Sequence, residues 1–199
     1  MTKERPILFS APMVRAILDG RKTQTRRVVK PEGADHLFPF LDLPGKPTGE
    51  WAWCPSPNLV SKHIRCPYGQ PGDQLWVREA WATSICNEDQ GCRPSVHYRA
   101  NGCSAPLLSG WRPSIHMPRW ASRITLEITN IRVERLQDIS EEDAQAEGVI
   151  EDYRPDVDPM GLASNYRVAF RELWDSINGP GSWSANPWVW VVEFRRVEP

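Results

Sequence analysis

Apolar and polar positions along the chain follow two periods, and the places where one gives way to the other outline the elements. Residues 6–20 read as a strand entering a helix. Met13 with Ile17 and Val14 with Leu18 form an apolar stripe at i, i+4 spacing, Ser10 stands ready as N-cap, Pro12 is tolerated in the first turn and Gly20 ends the helix. Thr23 to Val29 then has the look of a short strand. Gln74 to Trp81 predicts another, entered through the turn signal Pro71-Gly72-Asp73. From Arg123 to Arg135 the alternation of Ile124, Leu126 and Ile128 is clean until the phase slips near Asn130, which predicts a β-bulge. Ser140-Glu141-Glu142-Asp143 carries a capping-box pattern for a short helix that Gly148 closes. Tyr166, Ala169, Phe170, Leu173, Trp174 and Ile177 recur at i, i+3, i+4, i+7, i+8 and i+11, an amphipathic helix stopped by Asn178-Gly179-Pro180-Gly181. Trp188 to Phe194 is a last strand, apolar enough to lie in a barrel.

Between these segments the chain loses periodicity. Residues 30–71 are rich in Pro and Gly and read as an ordered excursion with a hairpin around Trp51–Trp53; residues 83–113 form a second, with a short strand at Val96–Arg99. The whole reads as a mixed α+β domain of scattered strands and three helices around a small barrel.

Composition sharpens this picture at three points. The 199 residues include 19 Pro and 10 Trp, so much of the chain is ordered loop and large flat side chains are abundant. The formal net charge of −1 supplies no global field for duplex nucleic acid, and small or single-stranded ligands suit the chain better. Five irregularly spaced cysteines and a polar N-terminus without a long apolar run predict reduced thiols, no membrane partner and a cytoplasmic location. Cys54, His63, Cys66, Cys86, Cys92, His97 and Cys103 include no paired C-x-x-C, so no metal or other cofactor is expected.

Candidate chemistry concentrates in Gly20-Arg21-Lys22-Thr23-Gln24-Thr25-Arg26-Arg27. A lysine that is desolvated and crowded by arginines loses basicity and becomes a plausible proton acceptor, and a threonine hydroxyl needs such a base to act as nucleophile. The same run also fits a solvated basic helix end favoured by the helix dipole. Arg78 and Glu79, adjacent in a strand, point to opposite faces, so one of them faces either a barrel mouth or a surface partner. Ser114 to Arg123 places His116, Arg119, Trp120 and Arg123 ahead of a strand, either as a lip on which Trp120 stacks a base or as core packing.

The order of four segments resembles the ASCH family of PUA-like proteins. Gly20, Lys22 and Arg27 fit its G-x-K-x-x-x-x-R signature, and Gly72-Asp73-Gln74-Leu75-Trp76-Val77 is similar to its G-D-x-L-x-V strand entry. Leu136 to Gly148 resembles its short acidic helix, and the W-V-W-V-V-E-F segment its closing strand. The resemblance implies one PUA-like domain over residues 1–199, with insertions at about 31–68, 83–113 and 151–182, of a kind found in phages and prophages. Small bacterial members act as N(4)-acetylcytidine amidohydrolases. Carried over by position, Lys22 becomes the base, Thr25 the nucleophile and Glu147 the acid. Arg27, Arg78, Glu79, Arg119 and Trp120 become candidates for holding the substrate. Other members resemble ribonucleases, so three functions stay open: hydrolysis of an acylated nucleoside, non-catalytic binding of RNA or a modified nucleotide, and RNA cleavage. The expected ligand is a nucleoside or single-stranded RNA.

Overall fold

A computed structural model describes residues 2–30, 36–41, 47–54, 62–84, 95–102, 110–150 and 165–197. Its elements are β1 (Glu4–Leu8), α1 (Ala11–Leu18), β2 (Gln24–Val28), β3 (His36–Leu41), β4 (Pro47–Cys54), β5 (Lys62–Arg65), β6 (Gln74–Arg78), β7 (Trp81–Thr83), β8 (Val96–Tyr98), β9 (Thr125–Arg135), α2 (Glu141–Ala146), α3 (Tyr166–Asn178) and β10 (Trp188–Val197). The class is α+β, with strands predominating.

The central sheet has the order β1-β6-β9-β10-β2. β1 pairs parallel with β6, and the other neighbours are antiparallel. All four segments expected as barrel strands therefore enter one sheet. The ladder is nevertheless open: β1 and β2 are its edges, and no pairing joins them among the described residues. Instead α1 turns Val14 and Ile17 into the core on that side.

β10 explains why its sequence is apolar throughout. Trp190, Val192 and Phe194 face one cluster, with Ile7, Leu75, Leu126, Ile128 and Val14, whereas Val189 and Val191 face a second cluster with Leu136, Ile139, Phe170 and Trp174. A strand with both faces covered has no polar side to show. The phase slip near Asn130 is a register shift: Asn130 pairs with Glu193 but Ile128 with Phe194, so Thr129 is the extra residue.

Three expectations need correction. The Pro-rich stretch after β2 holds a three-stranded sheet, β3-β4-β5, which docks Leu37, Trp51 and Ile64 on the inner cluster, with Trp51 edge-on to Trp190 at 4.7 Å. The strand expected over 74–81 stops at Arg78. There the Glu79 N–H turns to the Met117 sulfur, and its buried carboxylate takes Arg123 at 2.9 and 3.1 Å. The chain then restarts as β7, paired with β8. Ser10 holds the N-cap position of α1 without a side-chain hydrogen bond, whereas Ser140 caps α2 through the Asp143 N–H at 3.1 Å. Among the described residues no helix is long and apolar enough to cross a membrane.

Candidate active site

The end of α1 and the start of β2 bring the basic run against α2. Arg21 and Lys22 both donate their main-chain N–H to the Ala16 oxygen, Thr23 donates to Ala146, and Lys22 forms a β-bridge with Glu147. Gly148 makes this approach possible. Its φ is +84°, and a Cβ there would lie 2.7 Å from the Lys22 Cβ and 2.8 Å from the Ala16 Cβ.

In this closed space the Lys22 ammonium, wholly buried, donates to Glu147 Oε2 and to the Glu147 main-chain oxygen, both at 2.7 Å. The Phe9 ring lies 5.7 Å from Nζ and walls it from water. Burial pulls the Lys22 ammonium below the usual lysine range. The Glu147 carboxylate pulls it back up, and the charges of Arg27 and Arg26 add to the lowering.

Pleating divides β2 by function. Gln24 and Arg26 turn towards α2: Gln24 Nε2 donates to the Asp143 oxygen at 2.7 Å, and Arg26 reaches Glu147 Oε1 at 3.1 Å, Asp143 Oδ2 at 2.8 Å and Glu134 Oε1 at 2.6 Å. Arg132 closes the network by donating to Glu134, Asp143 and Glu193. The carboxyl of Asp143 is held below the ordinary aspartate range by Arg26, Arg132 and the hydrogen bond from Gln24, against the opposing effect of burial. Thr25 and Arg27 take the other face, opposite Val192 and Trp190. Arg27 stacks over Phe9 at 5.4 Å and donates to the Leu8 oxygen at 2.8 Å.

Along the free edge of β2 runs an inner chamber of about 50 Å³, walled by Thr25, Arg26, Arg27 and Glu147 and roofed by Phe170, Leu173, Trp174 and Ile177 of α3. That volume has room for a group the size of an amide and not for a nucleoside. An outer chamber of about 470 Å³ shares Arg27, Val28, Trp174 and Asn178 with it and adds Lys30, Tyr68 and Ser182. A separate cleft of about 610 Å³, between Arg21, Thr23 and α2, contains neither Thr25 nor Glu147.

Of the sequence-derived site residues, Thr25, Glu147 and Arg27 meet at the inner chamber, and Lys22 reaches it only through Glu147. Among the described residues no hydrogen bond joins the lysine to the Thr25 hydroxyl. The other candidates lie elsewhere. Glu79 is a buried partner of Arg123. Arg78 stacks on Trp76 at 4.6 Å and donates to the Ile115 oxygen. Arg119 pairs with Glu4 at 2.9 Å, and Trp120, 69% exposed, stands edge-on to Trp81; neither lines the inner or the outer chamber. The sequence offered no means of separating Arg26 from its basic neighbours, and the α3 stripe says that Trp174 is covered without saying what it covers.

The cysteine positions divide. The Cys66 thiol is buried, which pushes it up to about 11, so it resists forming a thiolate. Cys86, Cys92 and Cys103 lie outside the described residues, and no cluster of metal-ligating side chains occurs among those described. In comparisons with known proteins, no family model, no curated protein and no solved structure matches the chain.

Proposed function

We propose that this chain hydrolyses the amide of an N(4)-acylcytidine-like nucleoside, with Thr25 as nucleophile, Lys22 as base and Glu147 as acid, on a PUA-like fold. The observation that carries the reading is the buried 2.7 Å contact between Lys22 and Glu147 at the wall of a chamber that Thr25 also lines. Two groups in such contact share one proton. Moving it from Nζ to Oε2 turns an ammonium and a carboxylate into an amine and an acid, with no change in net charge, and burial favours that neutral pair.

The amine takes the Thr25 proton as Oγ1 attacks the acyl carbon. The acid protonates the cytosine N4 as the C–N bond breaks, releasing cytidine. Water then cleaves the acyl–threonine ester, freeing the carboxylic acid and restoring the hydroxyl. Arg27, on the chamber wall, supplies positive charge to the developing oxyanion. Arg26 donates to Glu147 Oε1 and keeps that carboxyl group in place between turnovers. The lysine must release the Glu147 main-chain oxygen to reach Thr25.

That last requirement favours a second reading, in which the site binds a nucleoside without turnover. Chromatographic assay of N(4)-acetylcytidine with purified protein separates the two. Under the hydrolase reading, Thr25→Ala abolishes release of the acyl group while calorimetric binding persists. Equal turnover in wild type and variant removes Thr25 as nucleophile, and binding without turnover by the wild type leaves the second reading standing.

A further inference from the structure

We propose that the outer chamber is a phosphate subsite, so that the ligand drawn to this site is a nucleoside 5′-monophosphate; this rests on the reading of the inner chamber as the amide-binding end. A volume of about 50 Å³ beside Thr25 and Glu147 takes the acylated amine, and the remainder of the ligand must lie in the adjoining 470 Å³, within the range of small-ligand sites.

The walls of that outer space are cationic in a particular way. Arg26, on the opposite face of β2, is saturated by three carboxylates. Arg27 and Lys30 have no carboxylate partner among the described residues, and Arg27 is held in place by Phe9 and the Leu8 oxygen. Asp175, three residues before Asn178 on α3, is occupied by Ser182 Oγ and the Trp183 N–H, both at 2.8 Å. Two cations in a cleft, with no carboxylate partner among the described residues, fit a dianion.

A separate observation points to a ligand. Trp174 lines both chambers and is 5% exposed, yet its indole N–H is buried with no partner among the described residues. An unmatched donor costs free energy that an acceptor brought to Trp174, a residue lining both chambers, would recover. Asn178 is anchored beside it by donating Nδ2 to the Trp174 main-chain oxygen at 3.1 Å, which leaves its amide oxygen to accept from a ribose hydroxyl. The space accommodates one nucleotide, which favours a free nucleotide over a residue inside RNA.

The test is calorimetric titration of the full chain with cytidine, cytidine 5′-monophosphate and a cytidine-containing hexanucleotide. The monophosphate is expected to bind at least about tenfold more tightly than cytidine at low ionic strength, with the gap closing in high salt. Lys30→Gln, at an exposed position, should shrink that preference several-fold, Lys30→Arg should keep it, and Trp174→Phe should weaken binding of both small ligands. Equal affinity for cytidine and its monophosphate, or a preference undiminished in Lys30→Gln, overturns the subsite. A hexanucleotide that binds far more tightly than the monophosphate overturns the assignment to a free nucleotide. Turnover of an acylated cytidine without phosphate preference would remove the subsite and leave the hydrolase; phosphate preference without turnover would do the reverse.

Discussion

Glu147 Oε2 accepts from Lys22 Nζ at 2.7 Å while its second oxygen accepts from Arg26 at 3.1 Å, so the carboxylate has two cationic partners and the lysine has one anionic partner. The two residues are therefore not equivalent in stability. Lys22→Met leaves Glu147 with Arg26, whereas Glu147→Leu leaves a buried lysine with only a main-chain oxygen and takes one carboxylate from Arg26. Breaking a buried pair in the second way costs about 3–5 kcal/mol, and Lys22→Met should cost roughly half of that or less. Urea unfolding of both variants checks the order; a larger loss from Lys22→Met would show that Arg26 does not compensate Glu147.

The lowered Lys22 has a signature at alkaline pH. In the interval between its folded value and the ordinary lysine value of about 10.4, the unfolded chain binds more protons than the folded one, so stability rises with pH. Tyr68, Tyr98 and Cys66 are raised by burial and act in the opposite sense over the top of that range. The difference between wild type and Lys22→Met cancels them. It should grow in favour of the wild type as pH rises through the alkaline region, and a flat difference would mean that Lys22 titrates alike in both states.

Gly148 and Gly20 both have positive φ, but only Gly148 has close neighbours. Gly20→Ala should cost about 1–2 kcal/mol for the left-handed backbone alone. Gly148→Ala meets the Lys22 and Ala16 side chains at under 3 Å as well and should cost about 2–5 kcal/mol, since overpacking adds to the backbone strain. Thermal denaturation of the two variants side by side tests the difference. Equal losses would mean that Lys22 yields without cost.

For catalysis, the sign of the Lys22 shift gives a pH profile. If the neutral amine is the working form, kcat/KM rises with pH along a limb whose midpoint lies below the ordinary lysine value. Lys22→Arg keeps the positive charge but cannot give up its proton near neutral pH, so it should be inactive. An active Lys22→Arg enzyme would assign the side chain to charge stabilisation instead of proton transfer.

Much of the local structure is legible in the sequence. The i, i+4 stripe of Met13–Leu18 and the longer one of Tyr166–Ile177 become helices, and the alternation from Ile124 with its slip near Asn130 becomes β9 and its bulge. Ser140 caps α2 as its spacing predicts. No local period links Lys22 with Glu147, 125 residues apart, so their pairing is decided by the fold and not by either segment. The β3-β4-β5 sheet was hidden for a related reason: its prolines and glycines interrupt the alternation, and the partners that satisfy its backbone are each other and not a repeating pattern.

What the sequence determined by itself is the three helices, the strands β2, β9 and β10 with the bulge in β9, and that Gly20 to Arg27 is dense in reactive side chains. Only the tertiary structure decided that Arg26 is saturated by carboxylates while Arg27 has none among the described residues, that Arg78, Glu79, Arg119 and Trp120 fall outside the inner and outer chambers, and that α3 roofs the edge of β2. The reason is physical: local sequence sets backbone conformation and which side of an element avoids water. The charge environment of a residue depends on groups brought within a few ångströms of it by distant segments, and the same arginine is buried or reactive according to how many carboxylates arrive there.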